Sequence, residues 1–190
     1  MQRSITSKPD QASSRRGFTI VELLIVIVVI GILAAITIVA YNGISTRAEN
    51  TKTLAALKQY SDGIAMYQVT NSLYPIIPIA CLGASGGNCG QVTDGMSTCF
   101  GTGTAPSNST FDSAITTTLS TLPQLSSQRM NCGGKNYAGG FYWSNDGKTA
   151  GVNYFLRGNQ QCSSIGIFNL SIRMQQDDTT LCVTSLPTLP

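Results

Sequence analysis

The sequence predicts an α+β fold: one long N-terminal α-helix whose first half is bare and apolar and whose second half packs on a C-terminal head built on an antiparallel β-sheet. From Ile20 to Ala40 every residue is apolar or small except Glu22 and Thr37. Further on, Leu54, Leu57, Tyr60 (or Ser61), Ile64 and Tyr67 recur at three- and four-residue steps, the period of an amphipathic helix. The C-terminal third reads as short β-branched and aromatic runs separated by turn residues.

The apolar run, as a helix rising about 1.5 Å per residue, spans roughly 30 Å, the thickness of a bilayer core. It is longer than the apolar core of a conventional secretory signal, about 7–15 residues, which favours its retention as a membrane span. Charge is uneven along the 190 residues. Arg3, Lys8, Arg15 and Arg16 precede the run, opposed only by Asp10, and no further Lys or Arg occurs until Arg47. Positive charge stays on the cytoplasmic side, so the N-terminus is expected inside and the C-terminal part outside. Without residues 1–17 the formal charge of +3 falls to zero. The basic balance therefore belongs to this leading stretch and is no footprint for nucleic acid.

After the run, "AENTKTLAALKQYSDGIAMYQVTNSLYP" continues as an amphipathic helix, weakened near Gly63 and Val69–Thr70 and stopped between Asn71 and Pro75. A single helix from about Phe18 to Asn71 is the expectation; two helices broken near Asn42–Gly43 are the alternative. Residues 73–110, rich in Gly, Ser, Thr and Cys, read as loop, in which "CLGASGGNC" closes a tight turn if Cys81 joins Cys89. "NSTFDSAITTTLSTLP" predicts a short helix capped by Ser109 or Thr110, with Phe111, Ile115, Leu119 and Leu122 on one face and Pro123 ending it. Four strands follow over about 136–184: "YAGGFYW", then a turn at Asn145–Asp146–Gly147, "AGVNYFLR", "SIGIFNLSIR" and "TTLCVTS".

Cys81, Cys89, Cys99, Cys132, Cys162 and Cys182 all follow the apolar run, and their even count fits disulfides in an oxidising compartment. Their pairing is open. With no His and no Cys-x-x-Cys pair, no metal site and no cofactor are expected. Absence of His also excludes Ser-His and Cys-His nucleophilic catalysis. "GASGG" precedes no helix and so is no phosphate cradle. "NDGKT" and "QQDDTT" read as turns rather than calcium loops. In the head, Arg129, Lys135, Lys148, Arg157 and Arg173 are scattered and balanced by Asp94, Asp112, Asp146, Asp177 and Asp178, so strong direct binding of nucleic acid is not expected. Tyr137, Phe141, Tyr142, Trp143, Tyr154 and Phe155 read as sheet core rather than a base-stacking platform.

"RRGFTIVELLIVIVVIGILAAI" resembles the class III leader and N-terminal helix of type IV pilins and pseudopilins. The resemblance covers about residues 15–43. It implies cleavage by a prepilin peptidase between Gly17 and Phe18, on the cytoplasmic side, and N-methylation of the new terminus at Phe18. The family's glutamate falls on Glu22 and its helix glycine, a point of flexibility, on Gly31. Where many members carry a helix-kinking Pro this chain has Val39, so any local unwinding rests on Gly31. The implied divisions are a leader at 1–17, a transmembrane and filament-core helix at 18–42, its amphipathic continuation at 43–72, and a disulfide-stapled head at 73–190. A C-terminal disulfide, as in pilin heads, would join Cys162 to Cys182.

The implied function is that of a structural, non-catalytic subunit of a type IV pilus-like filament, serving adhesion, twitching motility or DNA uptake. Its partners would be copies of itself, other pilins, the prepilin peptidase, an assembly platform and the membrane. It would begin as a single-pass cytoplasmic-membrane precursor and end in an extracellular pilus. A pseudopilin of a type II secretion or competence apparatus shares the same N-terminal physics. A single-pass membrane-anchored extracytoplasmic binding protein is the alternative of another class. Glu22 bears on the choice. A carboxylate inside a bilayer costs a few kcal/mol and usually marks function. Snorkelling, or the helix dipole, would suffice for a lone anchor. In a bundle of parallel helices, a neighbour's Phe18 amine would pair with Glu22 and set the register, as a polar residue does in a coiled coil.

Overall fold

The computed structural model describes residues 18–83, 105–126, 130–132, 135–137 and 139–190. Helix α1 is assigned without interruption over Ile20–Asn71, as a single helix and not two. By internal contacts the chain divides after Asn42 into two units, each described on its own terms.

In the first unit, α1 up to Ile38 buries none of its described side chains. This stretch of the helix is apolar on every side rather than along one stripe, a pattern found where a helix is surrounded by protein or lipid.

The second unit, Gly43–Pro190, holds the rest of α1 and, in order, β1 (Ile77–Cys81), α2 (Ser109–Thr116), β2 (Met130–Cys132), β3 (Lys135–Tyr137), β4 (Gly140–Ser144), β5 (Ala150–Arg157), β6 (Asn169–Gln176) and β7 (Thr179–Ser185). Strands β1, β4, β5, β7 and β6 lie side by side in that order, each antiparallel to its neighbour, while β2 and β3 pair separately. Leu57, Tyr60 and Ile64 of α1, all fully buried, meet Phe111 and Ile115 of α2 and Tyr142, Val152, Tyr154 and Leu156 of the sheet in one core. The stripe read from the sequence is thus the buried face, with Leu54 and Tyr67 at its margins. Polar side chains fix the helix on the sheet. Asn50 donates to the Arg157 carbonyl at 3.0 Å and accepts from the Arg157 N–H at 2.9 Å, completing a backbone pair as a strand would. Ser61 Oγ accepts from Ile167 N at 2.9 Å. Gly63, a weak helix former, is where α1 admits Leu119, since a Cβ there would lie 2.8 Å from its Cγ.

Several expectations are corrected. The stretch read as loop contains an edge strand, β1, so the sheet has five strands rather than four and begins well before residue 136. The α2 cap is Asn108, whose Oδ1 accepts from Phe111 N at 3.0 Å, rather than Ser109 or Thr110. That helix ends at Thr116; Leu119 and Leu122 still pack on the core, from the segment beyond it. "SIGIFNLSIR" becomes strand only at Asn169, because Ile165 and Phe168 bond each other across a tight turn.

Cys162, in the segment before β6, is bonded to Cys182, at the centre of β7, with Cα atoms 5.7 Å apart. The bond staples a loop to a strand. Closing a loop with its sequence separation of 20 stabilises by about 3 kcal/mol in the chain-entropy picture. Replacing the pair with Cys162→Ser and Cys182→Ala is expected to lower head stability by about 2–5 kcal/mol in denaturant unfolding; an unchanged midpoint and slope would contradict it.

Burial pushes the Tyr60, Tyr142 and Tyr154 phenols above their ordinary value of 10.0. Folding therefore favours their neutral form. That stability is complete below about pH 10, the value in the unfolded chain, and is lost as pH climbs toward the raised folded values. Melting temperature should hold near neutrality and fall steeply above about pH 10. A flat profile in that range would contradict the burial.

Candidate functional site

The N-terminal segment opens with Phe18, 87% exposed, and Thr19, neither of them helical. Gly17 lies outside the described residues. Thr19 and Glu22 close a capping box around the first turn of α1. Thr19 N–H and Thr19 Oγ–H both donate to Glu22 Oε2 at 2.8 Å, and Glu22 N–H donates to Thr19 Oγ1 at 3.2 Å. Helix N-termini leave N–H groups without partners, and an acidic residue in the first turn also complements the dipole. The carboxylate is thus held at the helix start and remains exposed. The sequence reading singled out Glu22 for its charge and passed over Thr19, although the Thr-x-x-Glu spacing was the available signal.

Past this turn, Ile20 to Ile38 present a continuous apolar surface, with Val29 at 47% exposure the most covered of its large side chains. This part of α1 is long and apolar enough to cross a membrane. Thr37, its other polar side chain, donates to the Ala34 carbonyl at 2.9 Å, so its hydroxyl needs no outside partner. Gly31 lies within the unbroken helix, and a Cβ there would meet nothing within 4 Å. Among the described residues nothing therefore demands glycine at that position.

The cysteines are distributed as follows. Cys81, buried at the end of β1, is disulfide-bonded. Cys89 and Cys99 lie outside the described residues, so the expected Cys81–Cys89 loop does too. Cys132 closes β2, its side chain outside the description. Cys162 and Cys182 form the bond given above.

In the head, the polar clusters flagged in the sequence are engaged in turns. Asp146 Oδ1 accepts from Lys148 N at 2.8 Å and Thr149 N at 2.7 Å, and these bonds hold its carboxyl below the usual carboxylate range. Asp177, at φ 49°, turns the chain from β6 into β7. Among the described residues no three His, Cys, Asp or Glu gather to hold a metal. Arg157 pairs with Asp178 at 2.7 Å and Lys58 with Asp62 at 2.5 Å. Arg173 is tied to the Gln160 carbonyl and the Asn159 amide oxygen. Tyr142, Tyr154 and Phe155 are buried, while Phe141 and Trp143 are half-buried.

Residues 12–38 match the model of the prokaryotic N-terminal methylation motif. The chain is 36% identical over 62 residues to the type II secretion system core protein G of Klebsiella michiganensis, covering 33% of this chain and 44% of that protein. It is 31% identical over 61 residues to the type IV major pilin protein PilE of Neisseria gonorrhoeae, covering 32% of this chain and 36% of that one. Core protein G of Escherichia coli strain K12 matches at 33% identity, with 32% and 42% covered. The chain thus spans less than half the length of these relatives. No solved structure matches it significantly. An α+β frame with a long N-terminal helix, together with this motif and these relatives, gives the chain the N-terminal signature of the type IV pilin and pseudopilin family.

Proposed function

We propose that the chain is a structural subunit of a type IV pilus-like filament, processed between Gly17 and Phe18, methylated at Phe18 and assembled through α1. The observation that carries this reading is a helix apolar on all sides over Ile20–Ile38 with one carboxylate, Glu22, in its first turn. Lipid would cover that surface in the precursor, and the helices of other copies would cover it in the filament. Cleavage creates an α-amine at Phe18. The bonds to Thr19 occupy Glu22 Oε2, leaving Oε1 to accept from the Phe18 amine of a neighbouring subunit. That contact offsets the desolvation of both charges and sets the axial register. Gly31 supplies a low-propensity position at which the helix could yield during transfer.

The subunit itself would perform no catalysis. A prepilin peptidase and a membrane assembly platform would act on it, with the N-terminus inside and the head outside. Because relatives include both a major pilin and type II secretion core proteins, a pseudopilin in a short periplasmic fibre is the second reading. Long surface fibres containing this chain would favour the first. Mass spectrometry of the mature N-terminus tests the shared premise. N-methylated Phe18 is expected, and an uncut leader would indicate a plain membrane anchor.

A further inference from the structure

Tyr142, Val152 and Tyr154 enter the core shared with α1 and α2, so their alternating neighbours Trp143, Gly151 and Asn153 stand on the opposite face of the sheet. One register row on that face runs Asn169, Ser185, Gly151, Trp143 across β6, β7, β5 and β4. Trp143 is the chain's single tryptophan, and it is half-buried. Its indole is laid across β5 at Gly151, where a Cβ would stand 2.5 Å from Cε2 and Cζ2 and 2.6 Å from Nε1. Glycine, a poor strand residue, is what lets the ring lie down on the sheet here.

Asn153 lies two residues along β5 from Gly151, opposite Phe141 and Val183 and diagonal to Trp143. Diagonal positions are within reach of an aromatic side chain. Asn is depleted in strands. Among the described residues its Oδ1 is a buried oxygen with no hydrogen-bond partner, which costs free energy and leaves the amide's acceptor unused by the fold. The side chain as a whole is only half-buried, and its terminal torsion is soft, so a turn of the amide brings that acceptor to the surface. We propose that Trp143 and Asn153 form a binding site for a neutral sugar, whose pyranose ring stacks on the indole while its hydroxyls bond the Asn153 amide.

Three considerations select that chemistry. The C–H face of a pyranose suits the negative face of an aromatic ring, and its hydroxyls need only the few placed polar groups that a small-molecule site supplies. Charge comes next. The row through Trp143 is neutral, and so is the adjoining row of Phe141, Asn153, Val183 and Ile172. A nucleotide would also stack on an indole, but neither row holds a cation to meet its phosphate. Finally, β5 is paired on both sides, with β4 and β7, so an extended peptide cannot add to it as a strand. Recognition must run through side chains. One such platform binds weakly, with a Kd of roughly 1 mM or more. The site does not depend on assembly, although copies repeated along a filament would multiply its avidity.

Because Trp143 has no other tryptophan beside it in the chain, its fluorescence reports on the site directly. The full chain, in a detergent without a sugar headgroup, is titrated with the methyl glycosides of glucose, galactose, mannose and N-acetylglucosamine. At least one should shift or quench Trp143 emission saturably, with half the effect at roughly 1–10 mM. Asn153→Val suits a strand and removes the unpartnered oxygen, so it should keep or raise the melting temperature while weakening that sugar about tenfold. Saturation-transfer NMR of the bound sugar, which needs no variant, should mark the C–H protons of one ring face above the rest. No saturable change with any of the four up to about 100 mM would overturn the site. So would equal affinity in the parent and Asn153→Val, a fall in that variant's melting temperature, or uniform saturation of the sugar. A response to adenosine monophosphate or to a neutral proline-rich peptide, with none to the sugars, would overturn it in favour of another ligand.

Discussion

Cells expressing Glu22→Ala are expected to cut the precursor normally and yet yield about a hundredfold fewer filaments, or none. In the proposed bundle of apolar helices, removing the carboxylate would leave a neighbour's Phe18 amine buried and unpaired. Breaking such a pair costs about 3–5 kcal/mol per contact, and every tenfold in an equilibrium is about 1.4 kcal/mol. The loss recurs at each added subunit. Glu22→Gln should be intermediate, because the amide oxygen can still accept from Thr19 but carries no charge. Thr19→Ala separates the two roles of the site. It removes both side-chain bonds of the capping box, worth about 1 kcal/mol, but keeps the charge, so assembly should weaken without being abolished. Abundant filaments from Glu22→Ala would remove the register role. Loss of cleavage in the same variant would place Glu22 in peptidase recognition instead.

The second large effect concerns the head. Tyr142→Ala should destabilise it by about 3–5 kcal/mol, enough to unfold a marginal domain. Tyr142 is fully buried in β4, its ring centroid 4.8 Å from that of Phe111 in α2. Its hydroxyl donates to the Pro75 carbonyl at 2.7 Å, so one side chain ties the sheet, α2 and the segment leaving α1. Tyr142→Phe keeps the stacking and strands the Pro75 carbonyl, for a smaller loss of about 1–3 kcal/mol. Chemical denaturation of both variants measures the difference. Equal losses would mean that the hydrogen bond, and not the ring, carries the effect.

The parts legible in the sequence were those with a period. The buried stripe Leu57, Tyr60 and Ile64 was read correctly because three- and four-residue steps place side chains on one helix face whatever packs there. Strands β5 and β7 were read nearly to the residue, since both are β-branched and aromatic runs bounded by turns. β1 was missed because "IPIAC" is short, follows Pro75 and contains Pro78, features that argue against a strand except at a sheet edge. The α2 cap was misplaced by one or two residues because Asn108, Ser109 and Thr110 are all cap formers, and only the backbone dihedrals distinguish them. β6 showed little period because nearly all of it is exposed, so burial imposes no alternation. The Cys162–Cys182 bond came from resemblance alone; spacing in the sequence does not choose among pairings. At the N-terminal site the charge of Glu22 was conspicuous, while Thr19 looked like one more small residue ahead of the run.

A filament reconstruction at side-chain resolution measures the proposed ion pair between copies directly. The expected result is a chain that starts at Phe18, with its amine within about 4 Å of a Glu22 carboxylate from an adjacent subunit, as ion pairs require. A Glu22 bonded only within its own helix, with the neighbouring amine well beyond that reach, would contradict it.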